Sequence, residues 1–159
     1  MLVSEALTEI RNKINDRDSV GLDDSELLSY LNEAVQYVSA ALIQYESTDM
    51  VVEQDVATST FTVPANFAKF CGYYPIKRTG LTVTLLDEPP LKVRYFVSAD
   101  ILEDNDTMPF NHIALNQFAI KLACVYANAQ QKLDVSTDKA LAQELAQVIA
   151  ASMGAGTTA

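Results

Sequence analysis

The sequence predicts an α+β subunit, mainly α: a helical bundle of about four helices with a small antiparallel β-sheet inserted between helices 2 and 3. Three observations predict it. Apolar residues recur at three- and four-residue spacing in both terminal parts of the chain. Between them, β-branched and partly alternating runs are punctuated by Pro, Gly and Asn. The 159 residues, 49% hydrophobic and 20% charged, have the size and balance of one folded domain. The chain 1–159 is therefore read as a single domain, with N-terminal helices in 1–48, a β-rich insertion in 49–98, C-terminal helices in 107–153 and a mobile tail in 154–159.

The first helix follows from Val3, Leu7, Ile10 and Ile14, which form one narrow apolar stripe, with Glu5, Glu9, Arg11, Asn12 and Lys13 off it. Turn formers from Asn15 to Gly21 end it. Asp23 and Glu26 stand at capping-box spacing, so a second helix starts there. Its apolar face runs through Leu27, Leu31, Val35, Val38, Leu42 and Tyr45, widened by Leu28, Ala34 and Ala41.

Ser47, Thr48 and Asp49 break that period. The runs Met50–Glu53, Thr60–Val63, Leu81–Leu85 and Leu91–Val97 then read as three or four short strands. Pro64-Ala65-Asn66-Phe67 is a sharp corner after a strand, Gly80 marks a turn, and Pro89-Pro90 bars regular structure just before Leu91. An acidic loop from Asp100 to Asp106 follows, with Asp106 or Thr107 as cap of a central helix. That helix is expected to begin near Thr107, Met108 and Pro109 and to run through Phe118, Leu122 and Val125 to about Lys132. A last helix, capped at Asp134, Ser136 or Asp138, carries Leu141, Leu145, Val148 and Ile149 on one face and ends at Gly154.

Composition excludes several classes of function. A net charge of -10 and a pI near 4.4 disfavour gripping phosphate backbones, which requires Lys and Arg. Cys71 and Cys124 suit buried thiols in a reducing compartment better than a disulfide. The N-terminus lacks the basic-then-apolar order of a secretory signal, and no apolar run reaches the roughly 20 residues of a membrane span. The expectation is a protein soluble where it is made.

In order, then, the chain shows a short helix, an acidic turn and a helix opening Asp-Asp-Ser-Glu-Leu-Leu-Ser-Tyr-Leu-Asn-Glu-Ala at Asp23. A strand closing on Val63-Pro64-Ala65-Asn66-Phe67 follows, then Pro89-Pro90-Leu91-Lys92-Val93-Arg94-Tyr95-Phe96, the acidic loop to Met108-Pro109, and a helical pair. This order, over nearly the whole chain, resembles the head-tail adaptor, or connector, proteins of tailed bacteriophages and prophages. The resemblance implies a virion structural protein, assembled in the bacterial host cytoplasm, that forms a homo-oligomeric ring beneath the portal protein. It further implies a downstream tail protein as partner, with DNA passing through the ring without tight binding and no membrane involved.

Chemistry-bearing groups are sparse. His112 is the lone histidine, and a single histidine in the first turn of a helix is usually a surface or packing residue. Glu103, Asp104, Asn105 and Asp106 lack the glycine and the distant Glu of a calcium loop, and they read first as a solvated turn. No zinc spacing, phosphate loop or nucleophile elbow occurs. No catalytic, cofactor or metal residue is assigned, and the expectation is a protein that is not an enzyme. A carboxylate-dependent hydrolase, a tail-side terminator and another helical protein-binding module are the alternatives.

Phe67 to Arg78 is the densest aromatic and basic stretch. Two readings stand side by side: Phe67, Phe70 and Tyr73 cover a core, or they form an interface centre. The candidate interface residues are Phe70, Tyr73, Tyr74, Lys77 and Arg78, with Lys77 and Arg78 meeting the acidic face of an adjacent copy. Gly154, Ala155, Gly156 and Thr157 are candidates for ordering on the portal.

Overall fold

The computed structural model describes residues 1–16, 21–129 and 135–154. Four helices, α1 (Val3–Lys13), α2 (Asp24–Gln44), α3 (Ile113–Ala129) and α4 (Val135–Gly154), surround one apolar core. Six strands lie between α2 and α3: β1 (Val51–Val56), β2 (Thr60–Thr62), β3 (Phe67–Phe70), β4 (Ile76–Thr79), β5 (Thr82–Leu85) and β6 (Leu91–Val97). A single 3-10 turn at Thr48–Met50 leads from α2 into β1.

α3 is the central helix. Leu115, Phe118, Ala119, Ile120, Leu122 and Ala123 are all buried, leaving little of its circumference to solvent. α2 packs against it with Leu27, Leu31, Val35, Val38 and Leu42, and α1 adds Val3, Ala6, Leu7 and Ile10. From α4 come Leu141, Leu145 and Ile149, one residue per turn of a single stripe.

The helix ends follow local chemistry. The Asp23 carboxylate accepts the Glu26 amide at 2.8 Å, and the Glu26 carboxylate accepts the Asp23 amide at 3.0 Å, a complete capping box. α1 and α2 both stop in a Schellman geometry built without glycine, with Asn15 and Glu46 at φ 59° and 58°. The Asp16 amide closes on the Arg11 carbonyl at 2.9 Å and the Ser47 amide on that of Leu42 at 2.9 Å.

The expectation of a mainly α bundle carrying one small inserted sheet is overturned. The β part comprises two three-stranded antiparallel sheets, in orders β1-β6-β3 and β2-β5-β4, and it has a core of its own. Val56, Val63, Val83, Leu85, Val93 and Tyr95 form that core, with contributions from both sheets. β3 and β4 are the strands that the sequence did not announce. Their four-residue burial patterns show no alternation, and β3 finds its partner in β6, more than twenty residues away. The β4–β5 hairpin turns through Gly80 at φ +60°, where a side chain would be strained.

β6 joins the two cores. Leu91, Val93, Tyr95 and Val97 face the β core, whereas Phe96 enters the helical core. Between Val97 and α3 runs a strap, residues 98–112, in which, among the described residues, the one backbone pairing of strand type is an isolated bridge of Thr107 to Leu2. Leu102, Met108 and Phe110 anchor it in the helical core. The central helix thus starts at Ile113, later than the Thr107 to Pro109 region expected, because Asn116 in its first turn bonds back to both backbone groups of Phe110, at 2.8 and 3.1 Å. The expected cap at Asp134 and the stretch to Lys132 lie outside the described residues.

Candidate functional site

Cationic side chains divide into two groups. Among the described residues, Arg11, Lys13, Lys69, Lys92, Arg94 and Lys121 each lie within 4.0 Å of a carboxylate oxygen; Lys77 and Arg78 do not. Both stand on β4, an edge strand, next to each other in sequence. Lys77 is exposed on the outer face of its sheet, opposite Thr84. Arg78 lies over its own Phe67 ring at 4.9 Å and donates to the Gly80 carbonyl at 3.2 Å, so part of its binding capacity is used within the subunit.

The structure divides the aromatic stretch between its two readings. Phe67, Phe70 and Tyr95 stack within 6.2 Å of one another, centroid to centroid, and Tyr74 meets Phe70 at 6.0 Å, all on the β core. The Tyr74 hydroxyl also accepts the Arg94 amide at 3.0 Å. Tyr73, by contrast, is fully exposed at the head of the loop before β4. Leu86, which is 64% exposed, is tied to that loop by its backbone N–H, which donates a hydrogen bond to the Pro75 carbonyl at 2.7 Å. Tyr73 is thus an uncovered aromatic side chain, and Leu86 is a second, partly exposed apolar one at the base of the same loop.

A contrasting surface lies on the strap. Asp100, Glu103, Asp104 and Asp106 are exposed, and none forms an ion pair with a described Lys or Arg. The strap from Ser98 to Leu102 is tied down by side chains of other elements. The Asn32 side chain makes two hydrogen bonds to Leu102, Gln36 donates to the Ala99 carbonyl at 2.8 Å, and Ser39 accepts the Ala99 amide at 3.2 Å. Asn66 donates to the Ser98 carbonyl at 2.7 Å and to the Asp100 carboxylate at 3.0 Å.

Where the strap passes the Pro64-to-Phe67 corner, a cleft of about 550 Å³ opens at the seam of the helical and β cores. Gln36, Pro64, Phe67, Ala99, Asp100 and Ile101 line it, and Ile101 is 67% exposed. A second hollow of about 480 Å³ includes Glu46, Glu53, Cys71, Arg94 and Phe96. Its charges are committed: Arg94 donates to Glu53 at 2.6 Å, and this bond with that of Lys92 holds the Glu53 carboxyl below the usual carboxylate range. Burial pushes the Cys71 thiol upward, against nucleophilic use. No histidine lines either hollow. His112, just before α3, uses Nδ1 to accept the Ala114 amide at 3.2 Å.

Residues 49–98 hold five acidic and five basic residues, so the whole net charge of -10 belongs to the other parts of the chain, with sixteen acidic against six basic. The β part is electrically balanced and the rest is strongly acidic.

No protein-family model and no curated protein sequence matches the chain. Among the described residues, no three His, Cys, Asp or Glu side chains gather as a metal site would require, and no helix is long and apolar enough to cross a membrane. Gly154 is the last residue of α4; Ala155, Gly156 and Thr157 lie outside the described residues.

Sequence reasoning missed Arg11. It falls off the apolar stripe of α1, yet it is buried, donating to Asp16, Asp24 and the Leu22 carbonyl. The signal available was a lone arginine one turn before an Asp-rich loop. Asn32, inside the Leu-Asn-Glu-Ala element, is the other missed residue, since nothing in a helix period reveals what a polar side chain will bond.

Proposed function

We propose that the protein is a phage head-tail adaptor, a virion structural subunit that forms a homo-oligomeric ring beneath a portal protein and joins the capsid to the tail around the DNA channel. The observation that carries the reading is the separation of complementary surfaces on one subunit. Among the described residues Lys77 has no carboxylate partner and stands on an edge strand of the balanced β part, while carboxylates without an ion pair stand on a hydrogen-bonded strap outside it. A contact between two different patches of identical subunits is heterologous, and it closes into a ring where the rotation between neighbours divides a full turn.

Both hollows fit this role better than chemistry. Their charged groups are paired with each other or hydrogen bonded to neighbours, and the thiol in one is raised rather than activated. The acidity of the helical part adds a mechanical reading for the ring. A wall with few cations offers DNA phosphates little to bind, so the duplex slides.

The test is assembly. The purified chain, mixed with a candidate portal protein from the same genome, is examined by negative-stain electron microscopy and by anisotropy on duplex DNA. Rings seated on the portal, with weak DNA binding, support the reading. A particle that ignores the portal, or tight salt-sensitive DNA binding, refutes it.

A further inference from the structure

From the geometry we infer that the subunit contact is a knob in a cleft, in which Tyr73 of one copy enters the seam cleft at Asp100 and Ile101 of the next while Lys77 meets the carboxylates of the strap. This deepens the ring reading and rests on it. The knob is Tyr73, a fully exposed aromatic side chain at the head of the loop before β4. The hole is the cleft of about 550 Å³, apolar at Pro64, Phe67 and Ala99 and polar at Gln36 and Asp100. An amphipathic tyrosine suits that mixture: its ring takes the apolar wall, and its hydroxyl donates to a carboxylate or side-chain amide oxygen.

Charge sets the partner as a second copy. Tyr73 and Lys77 are four residues apart, a span of at most about 13 Å. Asp100, at the cleft, and Asp104, on the strap, are four residues apart as well. A Tyr73 side chain seated in the cleft therefore leaves Lys77 enough chain to meet Glu103 or Asp104, none of the three being in an ion pair among the described residues. The subunit cannot fill its own cleft this way. β3 leads the chain away from the Phe67 wall, and the Cys71 amide is already fixed to the Arg94 carbonyl at 2.9 Å, partway along β6. The bonds to Asn32, Gln36, Ser39 and Asn66 hold the receiving strap in place, so little ordering accompanies docking.

The experiment replaces Tyr73 in the full-length chain with the photoreactive residue p-benzoylphenylalanine. Irradiated assemblies are digested, and the cross-linked peptides are mapped. The contact predicts links between position 73 and residues 64–67 or 98–101 of another copy. A charge exchange provides the second arm: Lys77→Glu and Asp104→Lys each weaken self-association at least tenfold, and the chain carrying both recovers most of it. Links elsewhere, or none, in a protein whose unsubstituted form makes rings overturn the knob-in-cleft contact and leave the adaptor reading standing. Failure of the two-fold charge variant to recover does the same. An unsubstituted chain that never forms rings, alone or with the portal, overturns both.

Discussion

Asn32 and Leu102, seventy residues apart, are joined by two hydrogen bonds: the Asn32 side-chain amide donates to the Leu102 carbonyl at 3.1 Å, and the Leu102 amide donates to Asn32 Oδ1 at 2.7 Å. A side-chain amide thus takes the place of a neighbouring strand. Asn116 repeats the device at Phe110, and between them the strap satisfies buried backbone groups that no sheet serves.

Asn32→Leu and Asn116→Leu each leave two backbone groups of the strap without partners. Each is expected to cost about 1–3 kcal/mol, read as a lower urea midpoint. Because the two sites share no bonding partner, the double variant should lose about the sum. A neutral outcome for either would show that water replaces the side chain.

Arg11 carries a comparable load at the other end of α2. Its guanidinium bonds Asp24 at 2.6 Å, Asp16 at 3.0 Å and the Leu22 carbonyl at 2.8 Å, with the Arg11 side chain only 9% exposed. Arg11→Met is expected to destabilise by about 2–4 kcal/mol, since it removes the cation facing the largely buried Asp16 carboxylate and the donor of the Leu22 carbonyl. Asp24→Asn, at a side chain 73% exposed, should cost less than about 1 kcal/mol. Thermal or urea unfolding of the two variants measures the contrast.

Acid should destabilise the protein through carboxylates held below their usual range. Hydrogen bonds from Ser25 and the Glu26 amide lower Asp23, and bonds from Arg94 and Lys92 lower Glu53. A lowered folded-state value means stability that is complete above the ordinary range, near pH 4, and lost as pH falls through the depressed values. The urea midpoint should therefore drop below about pH 4, and Asp23→Asn with Glu53→Gln should flatten that drop. An unchanged acid limb in the double variant would assign the loss to other groups.

The two thiols should behave differently toward a disulfide reagent such as DTNB. Cys71 is exposed and Cys124 is buried in the helical core, with burial pushing both thiols upward. In the native protein one thiol should react, more slowly than a free cysteine and faster as pH rises, and Cys71→Ser should abolish that phase. Reaction of Cys124 should wait for unfolding.

The helices were legible because their signals are local. The capping box at Asp23 and Glu26, and the period from Leu27 through Leu31, Val35, Val38 and Leu42, are written within one element each. The four sequence-assigned runs overlap β1, β2, β5 and β6, Leu91–Val97 residue for residue and the other three with ends shifted by one to three residues. The β architecture was not legible. β3 and β4 are each four residues long, and the aromatic density of Phe67 to Tyr74 hid a strand behind two competing readings. The late start of α3 was likewise hidden, because Thr107 and Pro109 look like a cap and a first turn until Asn116 is seen to bond Phe110. Lys77 and Arg78 stood out as basic in an acidic chain, but that both lack a carboxylate partner depends on pairings of Lys69, Lys92 and Arg94 that cross between elements. The exposed tip at Tyr73 and the seam cleft depend on tertiary packing in the same way.

Complementary surfaces, not a reactive pocket, are the core of this reading, and electron microscopy of the purified chain incubated with a candidate portal protein tests it most directly. Closed rings of the chain, stacked on one end of the portal and lost on Lys77→Glu substitution, are the expected result. A chain that stays monomeric beside an unoccupied portal contradicts it.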